Sequence, residues 1–266
     1  MNRIVSFWRK TGLVAAMMVG FAVAGSVNAA IVLVDFGSNA SFRGINVPAP
    51  DSNGNYWNSI VPGPYIPTLV NTSNAATTMA LGFDTPVGTD SYNGPAGPTS
   101  FPHPTPAEVA ATDINASALG ILGIKEAAID FAASPGSADN RTRFQLQGLD
   151  PTKKYNLTFF GSHKFSDNDT TVYSIYSDNT YTGLVASGSL NVQTPGSPNL
   201  HNRDTTLTLS NLSPQASNIL YVQFVGSLGG LGYLNDMSIT EVVPEPSSLA
   251  AFGLIGLLAA RRRRRR

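Results

Sequence analysis

Histidine-based proton transfer or nucleophile activation in this chain would start from one of three histidines, His103, His163 and His201. Each falls in or beside a segment of loop composition, and His103 is held between Pro102 and Pro104 with no base near it in sequence. A Ser-His-Asp set can be written as Ser38, His163 and Asp35. The "DFGS" stretch, however, lacks the strand–turn–helix context and the second glycine that expose a serine nucleophile. Glycoside hydrolysis needs two carboxyl groups facing each other across a cleft. The body of the chain has thirteen aspartates but only Glu108, Glu126 and Glu241 as glutamates, and no spacing nominates a pair. Solvated surface charge accounts for them. With no cysteine anywhere, disulfides, thiolate metal centres and thiol nucleophiles are excluded.

Two kinds of binding chemistry are better supplied. The "SDNDT" loop groups Asp167, Asn168 and Asp169, with Asp178 after the next strand, which makes it a candidate site for a structural calcium. The spacing is not that of an EF-hand, and the same residue types also simply make turns. Sugar binding needs rings that stack on apolar faces of pyranoses and amides or carboxylates that bond their hydroxyls. Trp57, Tyr65 and Tyr92 are the candidate glycan contacts, with Tyr56 beside them and Asn53, Asn55, Asn58 and Asn93 close by. Tyr56 and Trp57 serve equally well as a packed anchor under their loop. No catalytic set emerges, so a binding or structural role is expected rather than an enzyme.

The elements that must position these groups are short strands. Apolar bursts at 31–37, 127–133, 143–149, 154–162, 170–177, 205–212, 218–226 and 232–242 are separated by Gly, Pro, Asn and Asp. Several alternate with period two; Leu220, Val222 and Phe224 share one face. The pattern predicts an all-β, jelly-roll-type β-sandwich, flanked by an N-terminal signal helix and a short C-terminal hydrophobic helix. Residues 106–126 alone suggest helix, weakened by their glycines. Residues 47–105 carry ten prolines and form a long irregular loop expected to cover one edge of the sandwich.

Both ends of the chain carry addressing signals. Arg3, Arg9 and Lys10 precede an uncharged apolar stretch, and Val27-Asn28-Ala29 offers a peptidase site, so residues 1–29 read as a signal peptide cleaved after Ala29. The body, 30–242, holds eight basic and sixteen acidic residues, a net −8 that argues against nucleic acid or anionic lipid as partner. The tail, 243–266, runs from Pro244-Glu245-Pro246 through an apolar stretch, Leu249 to Ala260, into six arginines. As a helix, that stretch covers only about 18 Å of a roughly 30 Å hydrocarbon layer. The arginines stay on the cytoplasmic side, which leaves the body outside.

This order of signal, Pro-Glu-Pro, marginal apolar helix and terminal arginines resembles the PEP-CTERM sorting signal of Gram-negative bacteria. The resemblance implies recognition of Pro244, Glu245 and Pro246 by a membrane transpeptidase, the exosortase. It also implies a transient stay in the inner membrane and delivery to the cell envelope or outside, in bacteria that make exopolysaccharide and biofilm. A looser resemblance spans most of the body. "VDFGS", "YWNSI", "FQLQGLDPTKKYNLTFFGS", "DNDTTVYSIY" and the closing "GYLNDMSI" resemble jelly-roll, galactose-binding-like modules of bacterial surface proteins. In such a module the closing strand returns beside the first; the likeness concerns fold and does not settle function. The expectation is a non-enzymatic exported protein, structural or polysaccharide-associating. The alternatives are an exported hydrolase or lyase acting on polysaccharide, and a self-assembling subunit.

Overall fold

The computed structural model describes residues 29–37, 44–60, 68–85, 87, 89–93, 104–135, 141–164, 170–193, 201–214, 217–227 and 230–243. The signal helix, Pro244, Glu245, Pro246 and the hydrophobic tail lie outside these residues, and no helix among those described is long and apolar enough to cross a membrane.

Two five-stranded sheets face each other. The first contains β1 (Ile31–Asp35), β2 (Asn58–Ser59), β7 (Lys154–Phe160), β10 (Leu207–Leu212) and β13 (Asp236–Val242), in the order β10-β7-β13-β1-β2. The second contains β3 (Ala80–Phe83), β6 (Arg141–Gln147), β8 (Thr170–Tyr176), β9 (Leu184–Asn191) and β11 (Leu220–Gly226), in the order β3-β6-β11-β8-β9. A small third sheet, β12-β5-β4, joins β4 (Thr89–Tyr92), β5 (Asp130–Ala133) and β12 (Tyr233–Leu234). With the short edge strands β2 and β3 set aside, every connection between successive strands of the two large sheets crosses from one to the other, except β8 to β9. That interlocked order is the jelly-roll form of a β-sandwich. The closing strand β13 pairs antiparallel with β1, Val34 opposite Met237, as the sequence led us to expect.

Period-two alternation fills the space between the sheets. Tyr155, Leu157 and Phe159 of β7 meet Phe144, Leu146, Leu220, Val222, Phe224, Tyr173 and Ile175 of the opposite sheet, all buried. The β6–β7 turn is fixed by Gly148 at φ 69°, where an added Cβ would lie 1.9 Å from the Thr78 carbonyl oxygen. It is closed by the Asp150 N–H, which donates to the Tyr155 hydroxyl at 2.9 Å.

A helical segment covers the outer face of the first sheet. It comprises α1 (Pro106–Ala110), α2 (Ala116–Leu119), a 3-10 turn (Gly120–Leu122) and α3 (Lys125–Ile129). "TPAE" is a capping box: Thr105 Oγ1 accepts from Glu108 N at 3.3 Å and Glu108 Oε2 from Thr105 N at 2.6 Å. The helix breaks at Gly120, at φ 61°, and at Gly123, whose missing Cβ lets the Ala116 backbone approach. Leu119, Leu122, Ile124, Ala127 and Ala128 then pack on Leu33 and Phe160.

Two expectations need correction. Ala127–Ile129, read as the start of a strand, form the last turn of α3, and strand geometry begins at Asp130. The 47–105 region is not merely a loop over one edge: β2 extends the first sheet beside β1, β3 extends the second beside β6, and β4 belongs to the third.

Asp236, at the start of β13, is fully buried, and among the described residues neither carboxyl oxygen has a hydrogen-bond partner. Burial, and then the neighbouring Asp130, push its pKa well above the usual carboxylate range. A raised pKa means that the unfolded chain ionises first as pH rises, so this group subtracts stability at neutral pH. Each pH unit of elevation costs about 1.4 kcal/mol. Asp236→Asn is therefore expected to raise the urea midpoint at pH 7, with the gain shrinking towards pH 4; a lower midpoint at pH 7 contradicts this assignment.

Candidate functional site

The residues singled out from sequence separate on folding. Trp57 is buried against Leu33 and the helical segment, and its indole N–H donates to Asp51 Oδ2 at 2.8 Å, so no ring face remains for a sugar. Tyr92 ends β4, next to Asn93. Asp178 fastens the loop after β8: its carboxylate accepts from the N–H groups of Thr180 at 3.0 Å and Gly183 at 2.7 Å. Bonding, first from the Thr180 hydroxyl, pulls its pKa down to about 2. Tyr65, His103, Ser38, Asp167, Asn168 and Asp169 lie outside the described residues. Among the described residues, no three His, Cys, Asp or Glu side chains are grouped to hold a metal ion.

A different group converges at one end of the sandwich. Beyond β7 the chain continues through Gly161, Ser162, His163 and Lys164, and His201 and Asn202 lead into β10. Amide side chains tie these approaches together. Asn235, between β12 and β13, accepts from Ser162 N at 2.7 Å and donates to the Ala128 carbonyl at 2.8 Å. Asn93 donates to the Ser162 carbonyl at 3.1 Å and accepts from Lys164 N at 2.9 Å. Asn202 donates to the carbonyls of Gly161 at 2.9 Å and Thr205 at 2.7 Å. On this frame sits a cleft of about 340 Å³, walled on one side by Glu108, Thr112 and Asp113 and on the other by Asn93, Lys164 and His201. That volume is at the small-ligand end of binding sites.

The network also sets the state of His201. Ser162 Oγ lies 2.7 Å from His201 Nδ1 and accepts from Asn93 Nδ2 at 3.3 Å. The hydroxyl hydrogen has no other acceptor among the described residues, so it goes to Nδ1. The ring is then the Nε2–H tautomer, an assignment made from the bonding. Burial, followed by the charge of Arg203, holds the His201 pKa down to about 4, which leaves the ring neutral. His163 stacks on Tyr233 with ring centroids 4.0 Å apart; burial and then His201 hold it down to about 4 as well.

The Ser162–His201 contact has the length of a nucleophile–base pair but not its exposure. Ser162 is fully buried, with its carbonyl and hydroxyl both bonded by Asn93, so no substrate carbonyl can reach it. The two carboxylates of the wall are also engaged. Glu108 caps α1, and Asp113 pairs with Arg203 at 2.8 Å. A larger hollow of about 500 Å³ between α1, α3 and residues 45–52 is mostly apolar; Lys125 at its rim donates to the Ala110 carbonyl at 2.6 Å. No sequence signal could have assembled the cleft, because its walls come from four distant stretches.

No curated protein sequence matches the chain. Among solved structures it is similar to the family 32 carbohydrate-binding module of C. perfringens NanJ in complex with galactose. There the identity is 15% over 41% of this chain and 75% of that one, with a TM-score of 0.28. It is similar to the same extent to the family 32 module of AlyQ in complex with 4,5-unsaturated mannuronic acid: 15% identity, 41% and 75% coverage, TM-score 0.27. The enzymatically active domain of tailspike protein 4 of bacteriophage CBA120 matches at 14% identity over 60% of this chain and 19% of that one, with a TM-score of 0.30. Likenesses at this level carry no argument about what the chain binds. The tail is another matter: residues 242–266 match the family model of this motif, and they are a PEP-CTERM protein-sorting motif.

Proposed function

We propose that this is an exported, non-enzymatic protein of the cell envelope or extracellular matrix, which associates with exopolysaccharide through the polar cleft. An exosortase-type membrane transpeptidase acting at Pro244, Glu245 and Pro246 handles its tail. The observation that carries the reading is the cleft itself. A neutral His201 offers an Nε2–H donor, and Thr112 and the remaining lone pairs of Asp113 and Glu108 offer acceptors. Among the described residues no exposed serine or cysteine nucleophile stands beside them. Hydroxyl-rich sugar units match that alternation of donors and acceptors.

The placement of the chain ends supports it. Glu241 N donates to the Ala30 carbonyl at 3.0 Å and Val242 pairs with Lys154, so both termini of the sandwich leave from one end. The cleft lies past Phe160, the length of β7 away, roughly 20 Å. A chain held to the membrane by its tail would therefore present the cleft away from the bilayer.

A polysaccharide hydrolase or lyase is the second reading, favoured by one observation, that Glu108 and Asp113 share the cleft. The two readings part on binding without turnover. Thr112, half-buried, and Asp113, exposed, lie on the helical wall of the cleft, and Thr112→Val and Asp113→Ala probe it. Each is expected to weaken binding of oligosaccharides from the organism's own exopolysaccharide about tenfold, the worth of one lost polar contact near 1.4 kcal/mol. Calorimetric titration of the mature protein reads this, and unchanged affinity in both variants contradicts the cleft as the site.

A further inference from the structure

The outer face of the second sheet carries a polar network centred on Arg143. Arg143 and Gln223 are cross-strand partners on β6 and β11, and Arg143 Nε donates to Gln223 Oε1 at 3.0 Å. Gln223 Nε2 in turn donates to the Tyr176 hydroxyl at 3.4 Å. The loop fastened by Asp178 lays Tyr181 over the same face, where its ring contacts Tyr176 and Tyr221 with centroids 5.4 and 5.8 Å away. The Arg143 guanidinium carbon sits 4.5 Å above the centre of the Tyr181 ring. Among the described residues the one carboxylate bonded into this network is Asp84, which accepts from Gln145 Nε2 and the Tyr181 hydroxyl, both at 2.5 Å. Among the described residues no carboxylate lies within ion-pair distance of Arg143.

Stacking and the Nε bond thus fix the plane of a half-buried guanidinium, and among the described residues its two terminal nitrogens have no acceptor. A cation in that position would ordinarily be paired in a body of net charge −8. The planar fork suits a two-point bond to a carboxylate. The Tyr176 hydroxyl, having accepted from Gln223, keeps its own hydrogen to donate beside it. Arg141 precedes Arg143 by two residues on the same face, roughly 7 Å along the strand.

The geometry points to a second polysaccharide contact on this face: Arg143 receives the carboxylate of an acidic sugar unit, with Tyr176 as an adjacent donor. The ligand class is a uronic-acid-bearing chain. The inference rests on the polysaccharide-associating reading but uses a face separate from the cleft, so the two fail separately.

Polygalacturonate is the probe, with dextran as neutral control and dextran sulfate as a general polyanion, titrated into the mature protein at low and moderate salt. Polygalacturonate is expected to bind, to weaken with salt, and to lose at least tenfold in affinity in both Arg143→Gln and Arg143→Lys, since an ammonium cannot make the two-point bond. Gln223→Glu supplies an internal carboxylate to Arg143 while keeping the acceptor for Nε. It is expected to block polygalacturonate to the same extent with the melting temperature unchanged or raised, which separates loss of the site from loss of the fold. Thr112→Val in the cleft should leave polygalacturonate binding unchanged.

Equal affinity of wild type and Arg143→Gln overturns the proposal. So does dextran sulfate binding as tightly with the same losses, because the face is then a non-specific anion patch. Concentration-dependent dimers that disappear in Arg143→Gln also overturn it, since an acidic group of a second copy is then the occupant. Binding of the organism's neutral oligosaccharides at the cleft with no binding of polygalacturonate sinks this inference alone.

Discussion

Phe159→Ala is expected to remove about 3–5 kcal/mol of folding stability, the usual cost of truncating a buried phenylalanine. Phe159 has no exposure and lies on β7, which pairs with both β10 and β13. Its ring stacks on Tyr173 with centroids 4.6 Å apart and planes 15° apart, and Tyr173 anchors its hydroxyl on the Tyr233 carbonyl. The neighbours cannot all collapse into the void, because Tyr173 is tethered and the flanking strands are paired on both sides. A chain without disulfides has nothing else to offset the loss. Urea unfolding of the variant reads the change; Leu184→Ala, at an exposed position on β9, is the control and should shift stability by less than about 0.5 kcal/mol. A loss below about 1 kcal/mol for Phe159→Ala would mean that this stack is not the centre of the core.

Acid is the second large effect. His163 and His201 both sit near pKa 4 in the folded protein against 6.5 for the free side chain. The unfolded chain therefore takes up protons first as pH falls, and stability declines from about pH 6.5 to about pH 4 and then levels off. Each histidine contributes on the order of 3 kcal/mol to that decline if it acts alone. Asp236, with its raised pKa, works in the opposite direction, so the test is a comparison rather than a single curve. His163→Phe keeps an aromatic ring against Tyr233 and Phe131 and removes the titration. The variant should lose less stability than the wild type between pH 7 and pH 4, read from urea midpoints. Parallel curves would show that His163 titrates normally in the folded state.

The all-β sandwich was legible because short apolar bursts recur between turn residues and several alternate with period two. In β6 and β7 burial on one face follows that alternation, whereas β11 is buried on both faces. The return of β13 beside β1 was legible only through the resemblance of the closing segment to galactose-binding-like modules. Strand β9 was not. Its "LVASGSLN" presents serines outward, and inward it carries Ala186 and Gly188 because Leu207 and Leu209 of β10 close over it. A Cβ at Gly188 would meet Leu207 Cδ1 at 2.8 Å, so tertiary packing selected small residues where a strand ordinarily shows apolar ones. The start of the 127–133 burst was misread because a buried last helical turn and a buried strand are both runs of apolar residues.

The site was less legible than the fold. Trp57 is a buried anchor for a reason sequence only half revealed: Asp51, six residues earlier, satisfies its indole. The cleft depends on Asn93, Asn202 and Asn235 bonding backbone groups of distant loops, and asparagines in loops look alike until their partners are known. The Arg143 face gave no signal in "RTRFQLQ" beyond its alternation, because only the fold brings Gln223 to Arg143 Nε and Tyr176 to Gln223.

Binding at the cleft, without reaction, is the claim on which the proposed function stands. Mature protein mixed with the exopolysaccharide of its own organism and then sedimented, with the polymer sized before and after, measures both halves at once. The account predicts protein in the polymer pellet and a polymer length that does not change over the incubation. Protein left in the supernatant, or a polymer that shortens, would contradict it.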